Sequence, residues 1–481
     1  MRHHSLTPFA FATASIVLWV VLAGLVNSAQ FPDSIEQFVW AQSFEWGYWK
    51  HPPLLTWLLA SAIHVFGFWT GWTYALAALC FTGTAFLTWR IAHMLLGPQV
   101  AMVALLLLSL HQGFAARAQM YNHNSLLLLV VALTVWATLV ALENKRRASW
   151  LLVGLSAGLA MLTKYQALVP LVGIVIALHL SGQLRAAEVR QGLLVAGMVA
   201  LAVFTPHLLF LADTQFSTLR YAAHAAVSLD VLTRVTTLFG YWVNQLRVHI
   251  PMLVAIALFA LSNKPGSAKR VHQQHPQAKA WLLGLVAWPL VALALVSLLG
   301  GVRLQAAWGL QSFQFLVLLI AWRLVKSFPA INLAGFLPFV LVAQLLSLCI
   351  ALWSWMTPLH FMQSTADRNY PAGTLTAAVM KDWHSATACP LHYVVGPSFE
   401  AGLVSIHSGT YPQVLEADDA SKSPWVDKAR MQTLGAVYLA VDPSALPPNL
   451  VFKNSMPAQR NRKADQGMVY WGIAAPQPRC Q

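Results

Sequence analysis

Long apolar runs recur through the first 360 residues, and short polar segments separate them. A helix needs about 20 apolar residues to cross the hydrocarbon core of a membrane, and each run is close to that length. The pattern gives eleven runs and predicts about 11–13 spanning helices, since a count read from sequence errs by about one or two helices. The runs lie near residues 8–28, 71–94, 98–114, 124–142, 148–163, 165–182, 191–213, 236–262, 279–301, 307–325 and 331–357.

A further apolar run, residues 52–68, begins with Pro52 and Pro53 and ends at Gly67. Proline is tolerated in the first turn of a helix, and this run is short for a span. We interpret the first outer loop as containing juxtamembrane helices of this kind. The run 8–28 is interpreted as a retained helix, because no small-residue cleavage site follows it.

The composition changes after residue 365, where the chain carries nine of its sixteen acidic residues. A helix is predicted over 373–384. Short β-like runs follow at 391–396, 402–408, 435–442 and 467–475. We therefore predict two domains, a transmembrane domain over 1–360 and a small α/β domain over 365–481. Cys389 and Cys480 both fall in the second domain and could pair in an oxidising compartment.

Composition excludes a soluble globular class. Hydrophobic residues make up 58% of the chain and charged residues 10%, whereas soluble domains have about 25% charged residues. The net charge of +14 fits cytoplasmic loops and anionic membrane lipids, so we predict membrane lipids and no nucleic acid as partners. No dinucleotide-binding, Walker or CxxC motif is present.

Positive residues indicate the orientation. If the N-terminus is cytoplasmic, thirteen Lys and Arg residues face the inside and seven face the outside before the tail. Five of the seven acidic residues in the first 360 then lie on the outer side. We predict a multi-pass protein of the bacterial inner membrane, with its C-terminal domain and its chemistry on the periplasmic face.

Acidic residues concentrate in residues 29–59, which hold Asp33, Glu36 and Glu45 among many aromatic residues. Asp33 and Glu36 are three residues apart and would share one face of a helix. A carboxylate in this position could accept a proton from a hydroxyl or hold a metal ion. The structural alternative is that Asp33 caps a helix beginning at Ser34, with Glu36 completing a capping box.

Several cations and polar residues could hold a phosphate or an acceptor on the same side. Lys50, His51, Lys164 and Arg303 are candidates for phosphate binding. His123, Asn124, Arg220 and Trp308 are candidates for binding the acceptor or another part of the substrate. The alternatives are a headgroup anchor for each lysine, an interface histidine for His51 and a helix cap for Asn124.

These motifs carry a resemblance to a known group of enzymes. Asp33 follows the first span, 47-GYWKHPPLLTWL closes the aromatic loop, and 162-LTKY and 305-QAAWG follow later. Together with the C-terminal domain, they resemble the aminoarabinose-transferase and galacturonosyltransferase families. These are membrane glycosyltransferases of the C-type (GT-C) fold and are related to protein mannosyltransferases.

The resemblance implies transfer of a single sugar, with inversion, from a polyprenyl-phosphate carrier such as undecaprenyl phosphate. The acceptor would be lipid A, lipopolysaccharide or another envelope glycolipid. Asp33 would be the catalytic carboxylate, and Lys164 and His51 would hold the carrier phosphate. A divalent cation is a candidate cofactor with undefined ligands.

The sequence departs from the family at two positions, because Ser34 replaces a second acid and Asn124 a common Asp. Glu36 could supply the second acid. The alternatives to an enzyme are a transporter or flippase of lipid-linked sugars and a scaffold protein. No internal repeat of the kind common in transporters is visible.

Overall fold

The protein is described here by a computed structural model that covers residues 7–224, 230–266, 275–356, 370–457 and 467–477. As far as residue 356, the regular secondary structure of the described chain is helical. The helices are α1 (Thr7–Val26), α2 (Pro32–Trp40), α3 (Leu54–Phe66), α4 (Trp72–Leu96), α5 (Pro98–Ser109), α6 (His123–Asn144), α7 (Arg147–Thr163), α8 (Leu168–Leu180), α9 (Ala187–Asp213), α10 (Ser217–His224), α11 (Val231–Val248), α12 (Ile250–Ser262), α13 (Ala278–Leu282), α14 (Trp288–Leu298), α15 (Leu310–Ser327) and α16 (Leu333–Met356).

Each predicted apolar run coincides with a helix or a pair of helices. Within the described ranges, six helical segments have the length and composition to cross a membrane: α1, α4, α6, α9, α13 with α14, and most of α16. A seventh candidate is α11 with α12, which bend by 55° around His249. The helical membrane class is confirmed, and the total of about 11–13 spans stays a prediction.

The segment between α1 and α4 contains two helices, α2 and α3, and its place on the outer side of the membrane stays a prediction. Pro32 occupies the first turn of α2, and Pro53 immediately precedes α3, so both prolines stand where no helical N–H bond is lost. The two helices are joined by a hydrogen bond of 2.6 Å from the Thr56 hydroxyl to the Gln37 side chain. The segment between them is therefore held at both ends.

The C-terminal part is a mixed α/β unit, as predicted. Its sheet has the order β2-β1-β3-β5-β4, with β1 parallel to β2 and β3, and β5 antiparallel to β3 and β4. The elements are α17 (Ala372–Ala386), β1 (Tyr393–Gly396), α18 (Ser398–His407), β2 (Gln413–Glu416), α19 (Lys428–Leu434), β3 (Ala436–Ala440), β4 (Phe452–Pro457) and β5 (Met468–Ala474).

The prediction of a β-like run over 402–408 is wrong, because nearly all of it belongs to α18. Residues 399–406 of this helix are all buried, so the polar face that reveals a helical period is missing. Among the cysteines, Cys80 and Cys349 are free, whereas Cys389 is disulfide-bonded. Cys480 lies outside the described residues, so its pairing stays a prediction.

The two parts of the chain share one continuous apolar core. Helix α2 lies within it, and residues 34–40 of that helix are all buried. Gly402 of α18 packs against α2 so closely that an added Cβ would lie 2.5 Å from Ile35 Cγ2 and 3.0 Å from Val39 Cγ2. The C-terminal unit therefore supplies part of the packing around α2.

Replacing Gly402 with valine should destabilise the protein by about 1–3 kcal/mol, because the new side chain overpacks the contact between α18 and α2. Thermal unfolding of the purified protein in detergent measures the change. Gly373→Val is the matched control, since Gly373 of α17 is exposed and a Cβ there meets nothing within 4 Å. Equal melting temperatures for the two variants would contradict the packing described here.

Candidate active site

Asp33 lies in the first turn of α2 and beside the start of α6. The Ser34 hydroxyl donates to the Tyr121 carbonyl at 3.2 Å, which fixes α2 against the segment before α6. Asn122 caps α6 by accepting the N–H groups of Asn124 and Ser125. Its amide nitrogen donates to Asp33 Oδ2 at 3.2 Å. One asparagine therefore both begins α6 and orients the carboxylate.

The alternative of Asp33 as a helix cap is wrong. Helix α2 begins at Pro32, its N-cap position is Phe31, and no side chain caps it. Proline has no N–H and a fixed φ, so it starts a helix without the hydrogen bond that a cap supplies. The Asp33 side chain is thus not engaged as an N-cap.

Lys164 lies in the short link between α7 and α8, where its backbone is extended. Its ammonium donates to Asn124 Oδ1 at 2.9 Å and lies 5.9 Å from the centre of the Trp308 ring. Burial lowers the pKa of Lys164 to about 8, and the charge of Asp33 partly opposes this shift. The ammonium is therefore a half-buried cation beside the carboxylate.

Lys50 and Glu36 form an ion pair and a hydrogen bond next to this group. Burial raises the pKa of Glu36 to about 7, although the charge of Lys50 opposes the rise. Burial lowers the pKa of Lys50, but Glu36, Glu416 and Tyr221 together outweigh it and the net shift is upward. Lys50 thus stays protonated, and its ammonium also lies 4.6 Å from the Trp49 ring centre and 5.7 Å from that of Tyr221.

His51 and His123 lie ring to ring, with their centres 4.0 Å apart. The Nε2 atom of His123 is buried and has no hydrogen-bond partner among the described residues. Burial lowers the pKa of His51 to about 3, and the charges of Lys164 and Lys50 add to the shift. His51 is therefore neutral at physiological pH and can offer a phosphate a hydrogen bond but no charge.

Glu416 enters the site from the C-terminal unit, and the sequence analysis missed it. Its Oε2 accepts the indole N–H of Trp49 at 3.0 Å and lies 3.4 Å from that of Trp40. The carboxylate is buried, and its charge raises the pKa of Lys50. In the sequence it begins an ordinary acidic stretch, 416-EADD, so no local signal separates it from a solvated surface.

Arg220, Trp308 and Arg303 are the remaining candidates, and they lie in different surroundings. Arg220 lies on α10 and donates to the Thr214 carbonyl at 3.3 Å, whereas Tyr221 of the same helix meets the Trp49 ring, centre to centre, at 5.2 Å. The Trp308 carbonyl accepts a hydrogen bond from Gln166 at 3.0 Å. Arg303 is exposed and lines a separate cavity.

The structure thus brings most of the predicted residues into one group. Hydrogen bonds, an ion pair, ring contacts and electrostatic interactions connect its members. They are Asp33, Glu36, Lys50, His51, His123, Asn124, Lys164 and Trp308. Within the described ranges, no three His, Cys, Asp or Glu side chains are placed to hold a metal ion. Lys50 is bonded to Glu36, the proposed second acid, so these residues do not fit a metal site.

The chain is similar to known membrane glycosyltransferases. Residues 50–210 match the family model described as dolichyl-phosphate-mannose-protein mannosyltransferase. The lipid A galacturonosyltransferase RgtD of Rhizobium johnstonii is 24% identical over 51% of this chain and 52% of its own length. The lipopolysaccharide core galacturonosyltransferase RgtA of the same organism is 29% identical over 42% of this chain and 40% of its own. The alignments thus span about half the length of these curated relatives or less.

The fold is that of a solved GT-C enzyme. ArnT from Cupriavidus metallidurans, bound to undecaprenyl phosphate, matches with a TM-score of 0.59 over 96% of this chain and 98% of its own, at 12% identity. The resemblance predicted from the sequence motifs is confirmed by these matches, and the predicted GT-C fold is confirmed by the last.

Glu416→Ala should lower the melting temperature, because each buried indole N–H left without an acceptor costs about 1–3 kcal/mol. Glu416→Gln keeps a side-chain carbonyl as an acceptor, so its melting temperature should fall less. Asp418→Asn is the control, since Asp418 is an exposed neighbour that pairs with Lys428, and such surface pairs contribute about 0–1 kcal/mol. If Glu416→Ala has the same melting temperature as this control, Glu416 does not stabilise the packing of Trp40 and Trp49.

Proposed function

We propose that the protein transfers a single sugar from a polyprenyl-phosphate carrier, such as undecaprenyl phosphate, to lipid A, lipopolysaccharide or another envelope glycolipid. The observation that carries this proposal is a pair of hydrogen bonds at the start of α6. The Asp33 carboxylate accepts one from the Asn122 amide, and the Lys164 ammonium donates the other to the Asn124 amide. A base and a cation side by side suit a reaction whose leaving group is a phosphate. The names of the relatives favour transfer over the alternative of a transporter or flippase.

Asp33 acts in this mechanism as the general base. An acceptor hydroxyl gives its proton to the Asp33 carboxylate while its oxygen attacks the anomeric carbon of the sugar. The new glycosidic bond forms as the bond between that carbon and the phosphate oxygen breaks, and the polyprenyl phosphate leaves with the electron pair. Direct attack on the opposite face inverts the anomeric centre.

Lys164 and Lys50 stabilise the charge that builds on the departing phosphate. Lys164 is held by a neutral amide, so its charge is not cancelled by an ion pair among the described residues. Lys50 is paired with Glu36, and burial already raises the pKa of that acid. We propose that Glu36 orients Lys50 and that His51, which is neutral, offers the phosphate a hydrogen bond.

The roles of acceptor binding and of a metal are also proposals. His123, Asn124, Arg220 and Trp308 are proposed to contact the acceptor or the sugar, with the unpartnered Nε2 of His123 as a hydrogen-bonding group. No step of this mechanism passes through a divalent cation, because the described acids do not form a ligand set. We place the site on the periplasmic face of the bacterial inner membrane, with the N-terminus cytoplasmic.

Asp33→Asn should lower the turnover rate by about 10²–10⁴-fold, because the amide keeps the shape of the side chain but cannot take the proton. Purified protein is incubated with lipid A and polyprenyl-phosphate donors carrying galacturonic acid or aminoarabinose. Mass spectrometry then follows free polyprenyl phosphate and glycosylated lipid A.

Asp213→Asn is the control for that measurement, since Asp213 is an exposed acid at the end of α9 and should keep full activity. Two results would contradict the mechanism. One is full activity of Asp33→Asn, and the other is release of polyprenyl phosphate without any glycosylated acceptor.

The pH profile should depend on Lys164. Its pKa is lowered to about 8, so the ammonium loses its proton as the pH rises through that value. We expect kcat/KM to fall above about pH 8 in the wild type. Lys164→Arg keeps its charge at high pH and should move this fall upward, even if its overall rate is lower. An unchanged alkaline limb in Lys164→Arg would show that Lys164 does not bind the phosphate as a cation.

A further inference from the structure

A cavity of about 410 Å³ lies between α11 and the segment that follows α14. Its size falls in the range of about 300–1,000 Å³ that is usual for small-molecule sites. None of its lining residues contributes to the contacts around Asp33 described above. The lining consists of Thr236, Thr237, Gly240, Tyr241, Asn244, Arg303 and Leu304.

The sequence builds this cavity from one face of α11. Thr237, Tyr241 and Asn244 are spaced by four and three residues and so share one side of the helix. Gly301 has a φ of +66°, a conformation that favours glycine, and it turns the chain before Arg303. Arg234 of α11 donates to the carbonyls of residues 298 and 299 at 2.9 and 3.3 Å, which ties the helix to the end of α14.

Three polar groups in the cavity lack protein partners. The Tyr241 side chain is 3% exposed, and its hydroxyl has no hydrogen-bond partner within the described ranges. Asn244 and Arg303 form no side-chain hydrogen bond or ion pair among the residues that the structure describes. A buried hydroxyl such as that of Tyr241 is ordinarily paired. The partly buried Asn244 amide and the exposed Arg303 guanidinium line the same cavity, so the three groups together indicate a ligand. All three can donate, and a ligand rich in acceptor oxygens would satisfy them.

The other side of α11 indicates where that ligand comes from. It exposes a row of large apolar side chains at positions that share one helix face, as expected for contact with lipid. They are Leu232, Val235, Phe239, Val243 and Leu246. The cavity therefore opens beside a helix that meets the bilayer, where phosphate esters are the abundant anions.

We propose that this cavity binds the phosphate headgroup of a membrane lipid, at a site separate from that around Asp33. Arg303 donates to phosphate oxygens in a charge-assisted hydrogen bond, and Tyr241 and Asn244 add neutral ones. This binding goes beyond the proposed glycosyl transfer and does not depend on it. Three lipids share the required chemistry: a polyprenyl phosphate, lipid A and an anionic phospholipid.

The test is native mass spectrometry of the full-length protein in detergent, titrated with undecaprenyl phosphate, lipid A, phosphatidylglycerol, phosphatidylcholine and inorganic phosphate. At least one anionic lipid should bind more tightly than zwitterionic phosphatidylcholine. Arg303→Gln should weaken that binding by about tenfold or more, as expected for a hydrogen bond to a charged group. Tyr241→Phe, which removes only a hydroxyl, should weaken it by about threefold.

The matched control is Arg247→Gln, because Arg247 is an exposed arginine on the same helix and does not line the cavity. It should leave binding unchanged, and the lipid most affected by Arg303→Gln identifies the source of the headgroup. The proposal is overturned if Arg303→Gln binds every anionic lipid like the wild type, or if Arg247→Gln loses as much affinity. Binding of inorganic phosphate with no lipid dependent on Arg303 would also overturn it.

Discussion

Burial of α2 between the membrane helices and the C-terminal unit is the constraint on which the site depends. Residues 34–40 have no exposed face, so the helix cannot rotate or slide without opening the core on one side. Ser34 fixes it to the segment before α6, and Gly402 lets α18 approach it from the other direction. Asp33 stands immediately before this packed segment, so its carboxylate is positioned by packing rather than by a loop. The C-terminal unit thereby helps to position the proposed catalytic carboxylate.

Neutral amides contact both the proposed base and the proposed phosphate-binding cation of the site. A direct ion pair between Asp33 and Lys164 would lower the basicity of the carboxylate and occupy the ammonium. No such pair exists within the described ranges, and Asn122 and Asn124 bind the two groups separately. An aspartate in place of Asn124 would form an ion pair with Lys164 and offset its charge. The departure noticed in the sequence therefore has a physical consequence, since an amide at position 124 leaves the charge of Lys164 in place for the proposed phosphate contact.

Features that depend on the composition of a long segment, such as the membrane helices, were predictable from the sequence. Each apolar run became a helix, because a segment without charge has no better way to satisfy its backbone in a membrane. The cluster around Asp33 was predictable because charge is rare in this part of the chain. Glu416 was not, since it lies 376 residues from Trp40 and only the tertiary fold brings them together. Helix α18 was missed because burial on all sides removes the periodicity that distinguishes a helix from a strand.

One segment contacts both the site around Asp33 and the proposed lipid cavity. Arg303 lines the cavity, and Trp308, five residues later, lies against Lys164 and accepts a hydrogen bond from Gln166. A headgroup bound to Arg303 would restrain the same stretch of backbone that contacts Lys164, the lysine proposed to bind the carrier phosphate. Both substrates of the proposed reaction are lipids, so each must reach the site from the bilayer while its reacting group stays at the surface. A shared segment is a physical means by which occupancy of the cavity can influence Lys164, because the short chain between Arg303 and Trp308 limits how independently they move.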